Sequence, residues 1–270
     1  MNIIEQTQNG ITFYSADGIN AAGGAAHGFS TRLGGVSEGM WASLNLGVGR
    51  GDDPDHVREN YRRFFAAIGG SGKRFAMTNQ VHGAAVRTIT TADLHTDLYE
   101  KVGYEADGLM TDLPGAALVV YTADCIPILF YDPVRRCVAA VHAGWRGTAA
   151  GIATAAVDRM KHVYGSRPED SLAAIGPGIG PDCFETHEDV PNAMTAALGT
   201  GVLHHITIKE NGKFAVDLKA INVMRLEHAG LDPEHIAVSP LCTACHPDKF
   251  WSHRRLGTNR GSMAAVIQLL

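Results

Sequence analysis

Three side chains in this sequence stand where small or rigid neighbours leave room for another group. Imidazoles and thiols either ligate a metal or serve as base and nucleophile. His82 sits in Asn79-Gln80-Val81-His82-Gly83, read as a strand with glycine directly after the imidazole. Cys125 closes a strand in Tyr121-Thr122-Ala123-Asp124-Cys125-Ile126-Pro127, and Pro127 keeps Ile126 extended. His142 ends a later strand and precedes Ala143-Gly144. Read singly, each of the three serves core packing as readily as ligation. Strand alternation puts Asp124 on the face opposite Cys125, where it is a weaker candidate for orienting a ligand.

Other motifs carry weaker signals. Arg146-Gly147-Thr148 opens a helix, so unpaired N–H groups, the helix dipole and a guanidinium form a place for an anion such as phosphate; the plain alternative is a surface cap or ion pair. Cys242-Thr243-Ala244-Cys245-His246 matches the haem-attachment signature, but no export signal precedes it, and a zinc ribbon lacks its second pair. Packing near the active site is the expected role of these cysteines. Cys183 and His187 form a possible ligand pair, with structural roles expected. Gly176-Pro177-Gly178-Ile179-Gly180 resembles a phosphate loop only superficially, because Pro177 has no N–H and no Walker lysine follows.

The elements that must position these groups are legible from periodicity. Asp53-Pro54 opens a helix in which Val57, Tyr61, Phe64, Phe65 and Ile68 recur at helical spacing until Gly69-Gly70. Ala116 to Tyr121, Ile126 to Tyr131 and Cys137 to Val141 read as three consecutive buried strands. Thr148 to Tyr164 reads as a helix stopped by Gly165, Ala173 to Ile175 as a strand, Asp217 to His228 as a helix, and Ile236 to Leu241 and Met263 to Leu270 as strands. No low-complexity linker interrupts the succession, so residues 1–270 are expected to form one mixed α/β domain.

The chain has 270 residues, net charge -5 and five cysteines. No basic run marks a nucleic-acid partner, no segment is long enough to span a bilayer, and an odd number of dispersed cysteines argues for reduced thiols. A cytoplasmic protein with small-molecule partners is the expectation.

Several of these motifs occur together and in order: Gly28-Phe29-Ser30-Thr31-Arg32, Gln80-Val81-His82-Gly83, Thr122-Ala123-Asp124-Cys125-Ile126-Pro127, His142-Ala143-Gly144-Trp145-Arg146-Gly147-Thr148, Ile175-Gly176-Pro177 and Ser252-His253-Arg254-Arg255. Through them the chain resembles the family once called multicopper polyphenol oxidoreductases or laccase-domain proteins, now described as purine nucleoside phosphorylases, some members being named peptidoglycan-editing factors. The resemblance implies a four-layer α/β/β/α fold with mixed sheets, and a zinc held by His82, Cys125 and His142, which are then also the catalytic residues. Two imidazoles and a thiolate suit zinc, and three protein ligands leave a fourth position open, as catalytic sites require. Ser30 and Arg32 become candidates for substrate or phosphate contact through their place in a family motif, beside Arg146 and Asp124.

The activity so implied is phosphorolysis of adenosine, inosine and methylthioadenosine, with adenosine deamination as a second activity. Three other readings compete with it. One is a cysteine hydrolase acting on a peptidoglycan precursor, with Cys125 as nucleophile; another is a copper-dependent polyphenol oxidase, weakened by the absence of any His-x-His pair. The third is a zinc-stabilised interaction module. Copper can replace zinc at such a site because affinity rises towards copper.

Overall fold

The strands bury both faces, and their period-two pattern sorts side chains into separate cores. In the strand Ala116–Thr122, Leu118 and Val120 enter one apolar cluster while Ala117 and Val119 enter another. The C-terminal strand Met263–Leu269 divides in the same way, Ala265 and Ile267 to one side and Ala264 and Val266 to the other. Along Ile126–Asp132, Leu129 and Tyr131 share the first cluster, whereas Ile128 and Phe130 belong to a third. The first cluster is therefore the seam between two sheets packed face to face.

The computed structural model describes residues 1–270. One six-stranded sheet runs in spatial order through Ile3–Gln8, Ile11–Ala16, Ala25–Ser30, Met263–Leu269, Ala116–Thr122 and Arg74–Ala76. The other runs through Ile236–Val238, Leu172–Ile175, Ile126–Asp132, Cys137–Ala143, Gly108–Thr111 and Val86–Thr88. Both are mixed: the first has one parallel pair and the second two, each in an otherwise antiparallel ladder. A small three-stranded sheet, Glu185–Thr186, Phe214–Val216 and Ile206–Ile208, stands apart.

Helices cover both outer faces. Pro54–Ala67 starts on the side chain of Asp53, which accepts the Asp55 N–H, and lays Val57, Tyr61, Phe64 and Phe65 on the first sheet. Ile152–Tyr164, Asp189–Leu198 and Leu218–His228 cover the second sheet through Ile152, Ala156, Met160, Met194, Ile221 and Leu226. The result is the four-layer α/β/β/α arrangement in one mixed α/β domain. No helix is long and apolar enough to cross a membrane.

Four local expectations change. The three consecutive buried strands exist but are divided between the two sheets, so residues 123–125 are a crossing between layers and not strand. Asn79 pairs only as an isolated bridge, and His82 lies in a loop. The helix expected over Thr148 to Tyr164 is two helices, Trp145–Ala150 and Ile152–Tyr164, broken at Gly151 with φ 84°. There the Arg225 guanidinium donates to the Ala149 carbonyl, and a Cβ on Gly151 would lie 3.2 Å from that guanidinium, so a buried cation replaces the next helical turn. The strand expected over Ile236 to Leu241 ends at Val238, and Ser239 instead donates its N–H to the Ile175 carbonyl while its own carbonyl accepts from the Lys219 ammonium.

Candidate active site

The crossing between the sheets is where the site forms. Asp124 adopts φ 91°, a left-handed conformation that sends its carboxylate and the Cys125 thiol to different partners. Its two oxygens accept the Thr243 hydroxyl at 2.6 Å, the Ser252 hydroxyl at 3.0 Å and the Arg254 N–H at 2.7 Å. Asp124 thus clasps the segment that carries His253 and Arg254 into the site. The separation from Cys125 expected from strand alternation is present, but a turn produces it.

Cys125, His82 and His142 place one donor atom each within 4.8 Å of one another, a group able to hold a metal ion. His142 comes from the end of the strand Cys137–Ala143, and the two imidazoles meet edge to face with ring centroids 4.9 Å apart. Gly144 makes this approach possible, since a Cβ there would lie 2.8 Å from the His82 ring and 3.2 Å from the Cys125 sulfur. Any side chain at 144 would push the ligands apart.

A residue that sequence reasoning passed over organises the group. Asp107 is fully buried and accepts the N–H groups of Val81, His82 and Gly83 at 3.1, 3.0 and 2.7 Å, together with His142 Nδ1 at 2.8 Å. Three successive N–H groups converge on one carboxylate only if the chain turns tightly, and His82 does so with φ 61°. One carboxylate therefore sets both histidines, fixing the His142 ring so that Nε2 is left to face the site. Burial alone would raise the Asp107 carboxyl, yet His142 and the N–H groups hold it below its ordinary value. Burial would likewise raise the Cys125 thiol, but the His142 and His82 imidazoles bring it down to about 6. His142 loses basicity to burial and regains more from Cys125 and Asp107, ending near 9. The thiol is thereby held as a thiolate, the form that binds metal.

The three residues open onto a cavity of about 940 Å³. Met77, Leu98, Val102, Tyr121 and Phe184 give it an apolar wall; Arg50, Lys101, Arg254 and Arg260 supply positive charge. Arg260 is buried, with its Nη1 on the Gly261 carbonyl and the Ser262 hydroxyl and its Nε without a partner. Burial and the neighbouring Arg50 push it down to about 10, and neither arginine forms an ion pair. Two crowded, unpaired guanidinium groups make a place for an anion. Gln80 also lines the cavity, but its amide is spent on the Tyr121 backbone, donating to the carbonyl at 2.9 Å and accepting the N–H at 2.7 Å.

The remaining sequence candidates lie elsewhere. Arg146 does not line the cavity; its guanidinium stacks over the Trp145 ring, 4.2 Å from the centroid, and only Trp145 reaches the wall. Ser30 is buried and accepts the Ala264 N–H at 3.0 Å, joining neighbouring strands. Arg32 stacks on Trp251 and donates to the carbonyls of Ala42 and Pro247. Both serve the frame behind the site. Arg254 was visible in the Ser252-His253-Arg254-Arg255 motif, whereas Arg50 and Arg260 carried no local signal.

Residues 26–270 match the family described as multi-copper polyphenol oxidoreductase laccase. The purine nucleoside phosphorylase of Deinococcus radiodurans is 41% identical over 244 residues, covering 90% of this chain and 88% of that protein. Purine nucleoside phosphorylase YlmD of Geobacillus stearothermophilus is 37% identical over 246 residues, 90% of each. The crystal structure of YlmD from Geobacillus stearothermophilus matches with a TM-score of 0.91 at 35% identity, covering 99% of both chains. With a family match over most of its length and close relatives in both sequence and structure, this chain belongs to the multi-copper polyphenol oxidoreductase laccase family.

Proposed function

We propose that this protein is a zinc-dependent purine nucleoside phosphorylase acting on adenosine, inosine and methylthioadenosine. The observation that carries the reading is a three-donor site, His82, Cys125 and His142, sharing one cavity with two unpaired arginines. The names of the relatives point to the same reaction. Two imidazoles and a thiolate held low by them are a donor set suited to zinc, and copper can substitute there. When bound, the metal supplies Lewis-acid stabilisation of charge on oxygen and activation of water, chemistry that serves both phosphorolysis and deamination of adenosine.

Phosphorolysis joins a phosphate oxygen to the anomeric carbon and breaks the bond from that carbon to the purine nitrogen. The site must hold an anion against the ribose and exclude water, which would hydrolyse the nucleoside instead. We assign the anion to Arg50, Arg254 and Arg260, since these face the cavity and Arg146 does not. Met77, Leu98 and Tyr121 pack the purine and keep water from the reacting carbon. Asp107 holds His142 and the His82 loop in register throughout, and Asp124 holds Arg254 at the cavity edge.

The test is release of free base and ribose 1-phosphate from inosine and adenosine, with and without phosphate, in wild type, His82→Ala and Cys125→Ala, alongside metal content. Phosphate-dependent turnover lost in both variants supports the assignment; equal turnover in all three would sink it. Ammonia release from adenosine reads the deaminase activity in the same samples.

One arrangement favours a second reading. Cys125, His142 and Asp107 line up as nucleophile, base and orienting acid, the constellation of a cysteine hydrolase, for which we propose a peptidoglycan precursor as substrate. Activity that survives strong chelation and is abolished by alkylation of Cys125 would select it over the metal-dependent reaction.

A further inference from the structure

Beyond the cavity, a second group of thiols is assembled from distant parts of the chain. Cys183, Cys242 and Cys245 place their sulfurs within 4.8 Å of one another, and Cys183 and Cys245 are 3.4 Å apart across 62 residues. No histidine or carboxylate completes the group. All three are free thiols, Cys242 and Cys183 half-buried and Cys245 exposed.

The backbone around them is shaped to hold a thiolate. Cys242 Sγ accepts the Gly180 N–H at 3.1 Å, and the N–H groups of Ala244 and Cys245 also point to it. The turn is closed by the Cys245 and His246 N–H groups on the Cys242 carbonyl. Glycine at 180 eases this approach, since a Cβ would lie 3.2 Å from Cys242 Cβ, a tight contact, and 3.5 Å from its sulfur. Three sulfurs so crowded are compatible as thiolates only with a cation among them.

We propose that Cys183, Cys242 and Cys245 form a second metal site, taking a thiophilic ion, zinc or copper(I), through three thiolates. Zinc–sulfur bonds of roughly 2.3 Å in a tetrahedron put sulfurs roughly 3.8 Å apart, within the spread found here. Soft ions are selected because sulfur is the only donor. A disulfide accounts for less. Joining Cys183 to Cys245, 3.4 Å apart, it would leave the third sulfur, which accepts the Gly180 N–H, outside the bond.

The site is a clasp rather than a reaction centre. Cys183 follows the loop that carries Ile179 to the cavity and precedes Phe184, while Cys242 and Cys245 precede the segment that carries His253 and Arg254. Thr243, inside the cysteine turn, donates to Asp124, and its N–H bonds the Gly178 carbonyl at 3.2 Å. Metal among the three sulfurs joins two walls of the cavity from behind.

Zinc and copper per chain, measured by mass spectrometry on protein purified under reductant, provide the test. Wild type is expected to hold two metal ions, Cys183→Ser/Cys245→Ser one, and His82→Ala/His142→Ala one. The ratio of zinc to copper in the histidine variant identifies the ion. Unchanged metal content in the cysteine variant, or none in the histidine variant, overturns the proposal. If the cysteine variant fails to fold, cobalt(II) reconstitution of His82→Ala/His142→Ala decides the matter: intense sulfur-to-cobalt charge transfer supports three thiolates, and its absence overturns them. A Cys183–Cys245 disulfide mapped in freshly isolated protein, with metal content unaffected by reduction, overturns it as well.

Discussion

The two sulfur-bearing groups of this protein differ in every respect that matters to chemistry. Around Cys125 the partners are imidazoles, a buried carboxylate stands behind them, and the front opens on a cavity with unpaired arginines. Around Cys242 the partners are thiols, backbone N–H groups stand behind, and the outward side is the surface. Mixed nitrogen and sulfur donors facing a large cavity leave room for substrate, whereas sulfur donors between two loops only hold them together. The contrast lies in what stands behind each sulfur as much as in the donors.

The largest effect should come from the first group. His82→Ala or Cys125→Ala is expected to lower phosphorolysis by more than the roughly 100-fold that losing an outer partner typically brings, with the far-ultraviolet circular dichroism unchanged. Asp107→Asn keeps the shape but alters the hydrogen bonding of four donors, so metal affinity measured by chelator competition should fall about 10- to 100-fold. An unchanged affinity would mean that Asp107 is only a loop anchor.

His27 gives the contrast to His142, an imidazole buried without an acid. Its Nε2 accepts the Ala16 N–H at 2.9 Å, its Nδ1 has no partner, and burial pushes it down to about 4. The folded protein therefore resists protonation that the unfolded chain accepts near 6.5, so stability is full above that pH and falls as pH drops from about 6.5 to 4. Urea unfolding across that window should show roughly 3 kcal/mol more loss in wild type than in His27→Gln. Parallel curves would place the acid sensitivity elsewhere.

Breaking the second group should disturb the fold and spare the reaction. Cys183→Ser/Cys245→Ser is expected to lose about 1–3 kcal/mol in thermal or urea unfolding, with turnover within a few-fold of wild type. A collapse of turnover at full stability would erase the distinction between the two groups. Smallest of all, Arg146→Ala should leave the phosphate KM nearly unchanged and stability within about 0.5 kcal/mol, whereas Arg260→Ala should raise that KM.

Much of this was legible in the residues. The helix Pro54–Ala67 and the strands around Ala116–Thr122, Ile126–Asp132 and Cys137–Ala143 follow from local periodicity, because the pattern of burial along an element repeats with its geometry. What periodicity does not carry is which sheet a strand joins: Ala116–Thr122 and Ile126–Asp132 look alike and enter different layers. The crossing between them looked like strand until Asp124 turned left-handed.

Residue types alone determined the chemistry available, imidazole, thiol and guanidinium, and motif order grouped three of them at one site. Only the tertiary structure decided the rest. It set Asp107 behind both histidines, turned Arg50 and Arg260 to one cavity while leaving Arg146 on Trp145, and brought Cys183 to Cys242 and Cys245. The physical reason is range: an element's pattern is written in neighbours a few residues apart, but a hydrogen bond or thiol contact spanning 62 residues depends on how the layers pack.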